Sequence, residues 1–95
     1  MKKPAVYILA SKRNGTLYVG VTSNLRQRVW DHKNEVHAGF TKEHKIHLLV
    51  YVEEYGTMIE AITREKQLKK WNRAWKIDLI EKVNPAWRDL YDEIS

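Results

Sequence analysis

Two short runs rich in Val, Tyr, Ile and Leu open the chain, Ala5–Ala10 and Leu17–Val21, with the polar stretch Ser11-Lys12-Arg13-Asn14-Gly15 between them. Asn-Gly between such runs is a hairpin signal, because both residues tolerate positive φ. Thr22 or Ser23 then suits the cap of a helix beginning near Asn24. Leu25 and Val29 are spaced for its apolar stripe, and it ends before Gly39. The continuous apolar run Leu48–Val52 predicts a third, central strand. Thr57-x-x-Glu60 forms a capping box, and the absence of Pro and Gly from there to Asn84 predicts helix, broken near Asn72. The second of these helices turns Trp75, Leu79 and Val83 inward. Asn84-Pro85 caps a final turn in which Trp87, Leu90, Tyr91 and Ile94 share one face. The pattern is ββαβαα with that added turn, an α+β fold on a small, mostly antiparallel three-stranded sheet flanked by helices.

Side chains that interrupt these patterns are the candidates for chemistry. With Ile62 at 0° on a 100° wheel, Met58 falls at about 320°, Ala61 at about 260° and Leu68 at about 240°. Glu65, at about 300°, is a carboxylate within that apolar face, whereas Glu60 and Arg64 point away. An unpaired charge there costs several kcal/mol, so Glu65 needs a cation, a proton or a site open to water. A buried Glu-Arg pair meets the need as well as a functional site does. On the first helix, with Leu25 at 0°, Arg28 at about 300° and His32 at about 340° border the stripe, while Arg26 near 100° and Gln27 near 200° look outward. An inward guanidinium beside a carboxylate is a way to hold a phosphate and its metal, and also a common structural salt bridge.

Period-two alternation with an even-length loop puts Tyr7 and Tyr18 on one face of the hairpin. If Asn14-Gly15 is the whole loop, Tyr18 lies opposite Ser11, roughly 13 Å along the strand from Tyr7; a wider loop brings the two closer.

The chain has 95 residues, enough for one core and one site in a single domain spanning 1–95. Its apolar runs are far shorter than the ~18 residues needed to cross a bilayer. The basic opening Met1-Lys2-Lys3-Pro4 is followed by too short an apolar segment for a signal peptide, so the expected setting is the cytoplasm, with no membrane partner. Cysteine is absent, which excludes disulfides, thiolate zinc sites, iron-sulfur clusters and cysteine nucleophiles. Serine elbows and glycine-rich phosphate loops are missing too. Of the four histidines, His44-x-x-His47 has no acidic partner at ligand spacing and reads as solvated.

The net charge of +5 is unevenly placed: residues 1–33 carry +6 and 60–80 carry +3, against −2 each for 34–59 and 81–95. Two basic blocks give a preferred face for a polyanion, nucleic acid first. Lys12, Arg13 and Arg26 in the first block, with Lys66, Lys69, Lys70 and Arg73 in the second, are the expected backbone contacts. Solubility charge is the plainer alternative.

Taken in order, these residues resemble the GIY-YIG endonuclease superfamily. Ala5-Val6-Tyr7 stands for its first motif and Tyr18-Val19-Gly20 for its second. Asn24, Leu25, Arg28 and His32 fit its Asn-Leu-x-x-Arg-x-x-x-His pattern, followed by the Glu-Ala-x-x-x-Glu stretch Glu60–Glu65 and the late Asn84. The resemblance spans nearly the whole chain. It is closest to the small stand-alone bacterial members, through Glu65-Lys66-Gln67-Leu68-Lys69-Lys70-Trp71 and Asn84-Pro85-Ala86-Trp87-Arg88-Asp89-Leu90-Tyr91. Ala5 replaces a glycine, and Val21 stands where related repair nucleases can carry a lysine.

The resemblance implies an endonuclease hydrolysing phosphodiesters of nucleic acid, DNA foremost, with one Mg²⁺ or Mn²⁺ ion and a monomeric chain. Glu65 would be the metal ligand and Arg28 the phosphate clamp. Tyr7 and Tyr18 would line the site, one of them serving as general base or orienting the water. His32 would assist and Asn84 would support. The alternative is a nucleic-acid-binding module that keeps the fold without cleavage.

Overall fold

The computed structural model describes residues 3–36 and 39–94; the opening Met1-Lys2 and His37 lie outside the described residues. Strands β1 (Ala5–Ala10) and β2 (Leu17–Thr22) form the hairpin, and β3 (Leu48–Glu54) pairs antiparallel with the far side of β1. The sheet order is β2-β1-β3, so β3 is an edge strand rather than the central one its apolar run predicts. The central strand is β1, buried at every position. β3 reads as continuously apolar because its pairing shifts register between Ile8 and Leu9: Ile8 faces Tyr51 while Leu9 faces Leu49. Val50 is the extra residue, and Val50 and Tyr51 therefore join the same cluster.

The hairpin closes on Ser11 N–H to Thr16 O (3.0 Å), leaving the turn Lys12-Arg13-Asn14-Gly15, in which Asn14 alone takes positive φ, at 57°. The loop is wider than Asn-Gly by itself, so Tyr18 pairs with Leu9 and Gly20 with Tyr7. Arg73 fixes this loop from far along the chain by donating to the carbonyls of Asn14 and Gly15, both at 2.6 Å.

Helix α1 is Leu25–Lys33. Its cap is Asn24, not Thr22 or Ser23: Asn24 Oδ1 accepts the Gln27 N–H, and the Thr22 hydroxyl instead accepts the N–H of Asn24 at 3.0 Å. A short helix that the pattern did not predict, α2 (Phe40–Glu43), precedes β3. At four residues it is below the length at which a hydrophobic period shows. Helices α3 (Met58–Lys70) and α4 (Arg73–Val83) break where expected, with Asn72 Oδ1 accepting the Trp75 N–H at 2.9 Å.

Alternate positions of the strands feed two clusters. Val6, Ile8, Ala10, Val19, Val50 and Tyr51 pack against Ala61, Leu68, Ile80 and Trp87, while Tyr7, Leu9 and Leu49 pack against Val29 and Ile46. On α4 the inward residue is Ile80, with Ile77 and Leu79 beside it. Trp75 and Val83 are exposed, because hydrophobic residues surround this helix and its wheel has no single apolar face. On α3, Ile62 lies at the rim, more than a third exposed, while Arg64 is turned inward against the expectation.

The segment after α4 is a strap and not one amphipathic turn. Trp87, at φ 56°, enters the first cluster, while Leu90, Tyr91 and Ile94 pack on the second, so the four do not share a face. The chain crosses the sheet edge between them, where Leu90 N–H donates to Leu49 O at 2.7 Å and Asp89 accepts the Leu49 N–H.

Candidate active site

Gly20 decides how β2 meets Tyr7. A Cβ built on Gly20 would lie 2.4 Å from both Cζ and Oη of Tyr7, so only glycine lets that ring lie flat across β2. Tyr7 is fully buried and Tyr18 half-buried, their ring centroids 6.4 Å apart, and His32 on α1 closes the triangle at 5.9 and 5.4 Å. The wheel position that set His32 beside the apolar stripe is what delivers it here.

Tyr7 Oη lies 3.1 Å from His32 Nε2, and His32 Nδ1 lies 3.0 Å from Thr41 Oγ1. Burial and the neighbouring Tyr18 push the Tyr7 hydroxyl well above the usual tyrosine value. The nearby Arg28 guanidinium pulls it down by charge and hydrogen bonding, and Glu65 adds a smaller upward push. Tyr7 therefore keeps its proton at neutral pH. A neutral phenol donates to His32 Nε2 when that nitrogen is unprotonated, the tautomer in which the imidazole's other nitrogen donates to Thr41.

Arg28 is exposed at the mouth of a cleft of about 220 Å³ lined by Tyr18, Arg28, Asp31, His32, Gly39, Phe40 and Thr41. Glu65, on α3, has its side chain 13% exposed and Lys69 Nζ at 2.8 Å. Tyr18, Arg28 and His32 thus gather at the Tyr7 hydroxyl, and the charge of Glu65 bears on it from α3.

Asn84 stands apart from them. It is buried, its amide donating to Val50 O (3.1 Å) and Arg88 O (2.9 Å) and its oxygen accepting the Arg88 N–H (3.0 Å), so its side chain ties α4, β3 and the strap together. Lys12, Arg13, Lys66, Lys69 and Lys70 are exposed. Arg26 donates to Ile94 O and lies over the Tyr91 ring, and Arg73 is occupied by the hairpin loop.

Three contributors were not read as site residues. Thr41 and Phe40 sit on α2, with Phe40 stacked on Tyr18 (28° between planes) and against His44, so His44 is not merely solvated. Nothing in the local pattern marks them. Gly20 left a signal, a glycine inside a strand.

Among the described residues no group of three or more His, Asp or Glu could hold a metal ion. The expected ligand Glu65 is a partly buried carboxylate. Such a donor fits an ion that keeps most of its water, as Mg²⁺ does when held by one or two carboxylates and a substrate phosphate.

A hairpin-centred antiparallel sheet bearing two tyrosines, with an arginine helix on one side and an acid-bearing helix on the other, defines the class of GIY-YIG catalytic domains. The model of that domain matches residues 3–78, and the chain belongs to the GIY-YIG family. It is similar to UPF0213 protein SH2523 of Staphylococcus haemolyticus, 37% identical over 85% of this chain and 98% of that protein. UPF0213 protein CPE1444 of Clostridium perfringens is 40% identical over 95% and 96%. The solution structure of UPF0213 protein BH0048 from Bacillus halodurans matches with TM-score 0.57 and 24% identity over 92% of both chains, a likeness of fold. A GIY-YIG domain is a nuclease domain, and nucleases of this family generally use divalent metal ions on nucleic acid. No helix among the described residues is long and apolar enough to cross a membrane.

Proposed function

We propose that this protein is a divalent-metal-dependent endonuclease that hydrolyses phosphodiester bonds, DNA foremost, in repair or recombination-type processing. It acts as a single-domain monomer in the cytoplasm. The observation that carries this reading is that Arg28 and Glu65, from helices on opposite faces of the sheet, both act on the Tyr7 hydroxyl, Arg28 by charge and hydrogen bonding and Glu65 by its charge. A pure binding module has no use for an acid beside its phosphate clamp.

Glu65 would hold the ion, Mg²⁺ or Mn²⁺, which when bound supplies positive charge to the phosphate oxygens and the leaving group. Lys69, now paired with Glu65, is then released toward the nucleic-acid backbone beside Lys66 and Lys70. Exposed Arg28 clamps the scissile phosphate and stabilises charge that develops on it. Tyr7, held neutral, is ill-suited to be the initial base. It orients the attacking water, and as that water passes a proton to the Tyr7 oxygen the phenol's own proton moves to His32 Nε2, whose ring Thr41 holds in place. Tyr18 and Phe40 wall the cleft and exclude bulk water. Asn84 supports the site by fixing the fold behind it, without touching substrate.

The test is incubation of wild type, Glu65→Gln and Arg28→Ala with labelled duplex, branched and single-stranded DNA and RNA in Mg²⁺, Mn²⁺ or EDTA. Wild type cleaves at least one substrate with metal and none with EDTA, and both variants bind without cleaving. Wild-type binding without cleavage across the panel would instead identify an inactive binding module.

A further inference from the structure

Outside the cleft, the most heavily hydrogen-bonded ionisable group among the described residues is Glu53, near the end of β3. Its carboxylate accepts hydrogen bonds from the Tyr51 hydroxyl, from the Tyr55 hydroxyl (2.6 Å), and from Arg64 Nε (2.9 Å) and Nη2 (3.1 Å). Four donors on two oxygens fill a carboxylate's capacity. The register shift in β3 makes this possible: by placing Tyr51 beside Val50 on the α3 face, it carries Glu53, opposite Val6, to that face too. Arg64 is further fixed by the Trp71 ring, 5.0 Å from its guanidinium carbon. Burial works against the Glu53 charge, yet Arg64 and the two phenols hold its carboxyl below the usual range.

A network this complete does more than add stability, since a partly buried ion pair spends much of its attraction on desolvation. What it supplies is orientation. Apolar packing of α3 runs through Ala61 and Leu68, while Ile59 and Ile62 are exposed, so polar contacts share in setting its rotation. The Arg64 fork sets the helix's rotation, and the next residue is Glu65. A rotation of about 10–20° would move a carboxylate some 6 Å from the axis by roughly 1–2 Å, beyond the tolerance of a working site.

We propose that Glu53 is a positioning residue for Glu65: its bidentate pair with Arg64 sets the rotation of α3 and so where the Glu65 carboxylate stands. This rests on Glu65 being the metal's ligand.

The test compares wild type with Glu53→Gln, Arg64→Lys and Tyr55→Phe, with Glu65→Gln as reference. Mn²⁺ affinity is read from paramagnetic broadening of backbone amides around Glu65, beside kcat, the nucleic-acid KM and the melting temperature. Glu53→Gln and Arg64→Lys should each weaken Mn²⁺ binding about tenfold and lower kcat about tenfold, the scale of lost support behind a metal ligand, with KM little changed. Tyr55→Phe keeps the ion pair and folds if the other two do not; it should move the same quantities about twofold in the same direction. Variants that melt lower but keep wild-type Mn²⁺ affinity and kcat overturn the proposal and leave a structural ion pair. If Glu65→Gln itself binds Mn²⁺ like wild type, the assignment of Glu65 fails instead.

Discussion

Toward α3 and α4 the sheet presents Val6, Ile8, Ala10 and Val19, and every partner in the buried cluster except Tyr51 is purely hydrocarbon or an indole. Toward α1 the intervening positions of the same strands are Tyr7, Leu9 and Tyr18, and one of their partners is the imidazole of His32. The two faces share one backbone and differ by a one-residue step. Period-two alternation thus lets a 95-residue chain keep its packing and its chemistry on opposite sides of one strand. The division is incomplete in one respect: the acid of the site, Glu65, comes from the packing side. That is why the rotation of α3 matters to chemistry on the other face.

The sharpest way to break this contrast is to damage each face alone. Arg28→Ala on the α1 side should lower cleavage by about 10²–10³-fold, the scale of a lost transition-state donor, with melting lowered only by the loss of its hydrogen bond to Tyr7, about 1 kcal/mol. Ile80→Ala on the other side should cost about 2–5 kcal/mol of stability while the folded fraction cleaves normally. Arg26→Ala, one turn-face away, should alter cleavage little. Equal losses from Arg28→Ala and Arg26→Ala would show that α1 is merely a basic surface, and calorimetry beside initial rates separates the cases.

A smaller effect is expected where the faces touch through the backbone. Gly20→Ala forces a methyl against the buried Tyr7 ring, which has no room to swing aside. It should cost about 1–3 kcal/mol by overpacking. Because the displaced group is the site's hydroxyl, kcat should fall more than in the equally destabilised Ile80→Val. Matching kcat values in the two would mean that Tyr7 orientation is irrelevant.

How much of this was legible depends on the range of the forces involved. Thr57-x-x-Glu60 and Asn72 announced their helix starts because capping is settled within three residues. Arg28, His32, Tyr7 and Tyr18 were legible as a group because helix and strand periods fix which way each points. The true width of the hairpin loop was not, since Arg73 holds its carbonyls from the opposite end of the fold. Neither was the edge position of β3, which depends on a bulge that no composition marks. The wheel phase of α3 failed by a modest angle, because its apolar face was drawn to include Ile62 and to leave Arg64 outward. Tertiary pairing with Glu53 outweighed the hydrophobic preference there.

The smallest effect at neutral pH concerns a property that the faces share. Tyr7 on one and Tyr51 on the other both have hydroxyls pushed up chiefly by burial. Their neutral forms are favoured in the folded state, so their contribution is fully present below the unfolded value of 10.0 and is lost as pH rises through the folded values. Melting temperature should therefore be flat near neutrality and drop above about pH 10. Tyr7→Phe should soften that drop while abolishing most cleavage, and Tyr51→Phe should soften it through a different face. An alkaline limb unchanged in both would remove buried tyrosine as its cause.

The strap 84–94 has a bearing on how the molecule comes into being. During synthesis from the amino end, the sheet and all four helices emerge before the residues that seal them. Until Trp87 enters one cluster and Leu90 the other, with Leu90 N–H bonded to Leu49 O, each cluster lacks a wall and the outer edge of β3 is unguarded. The nascent chain thus carries every residue of its cleft before it has a finished fold to hold them. Docking of the strap completes both cores in one event, so the cleft gains its rigid backing last.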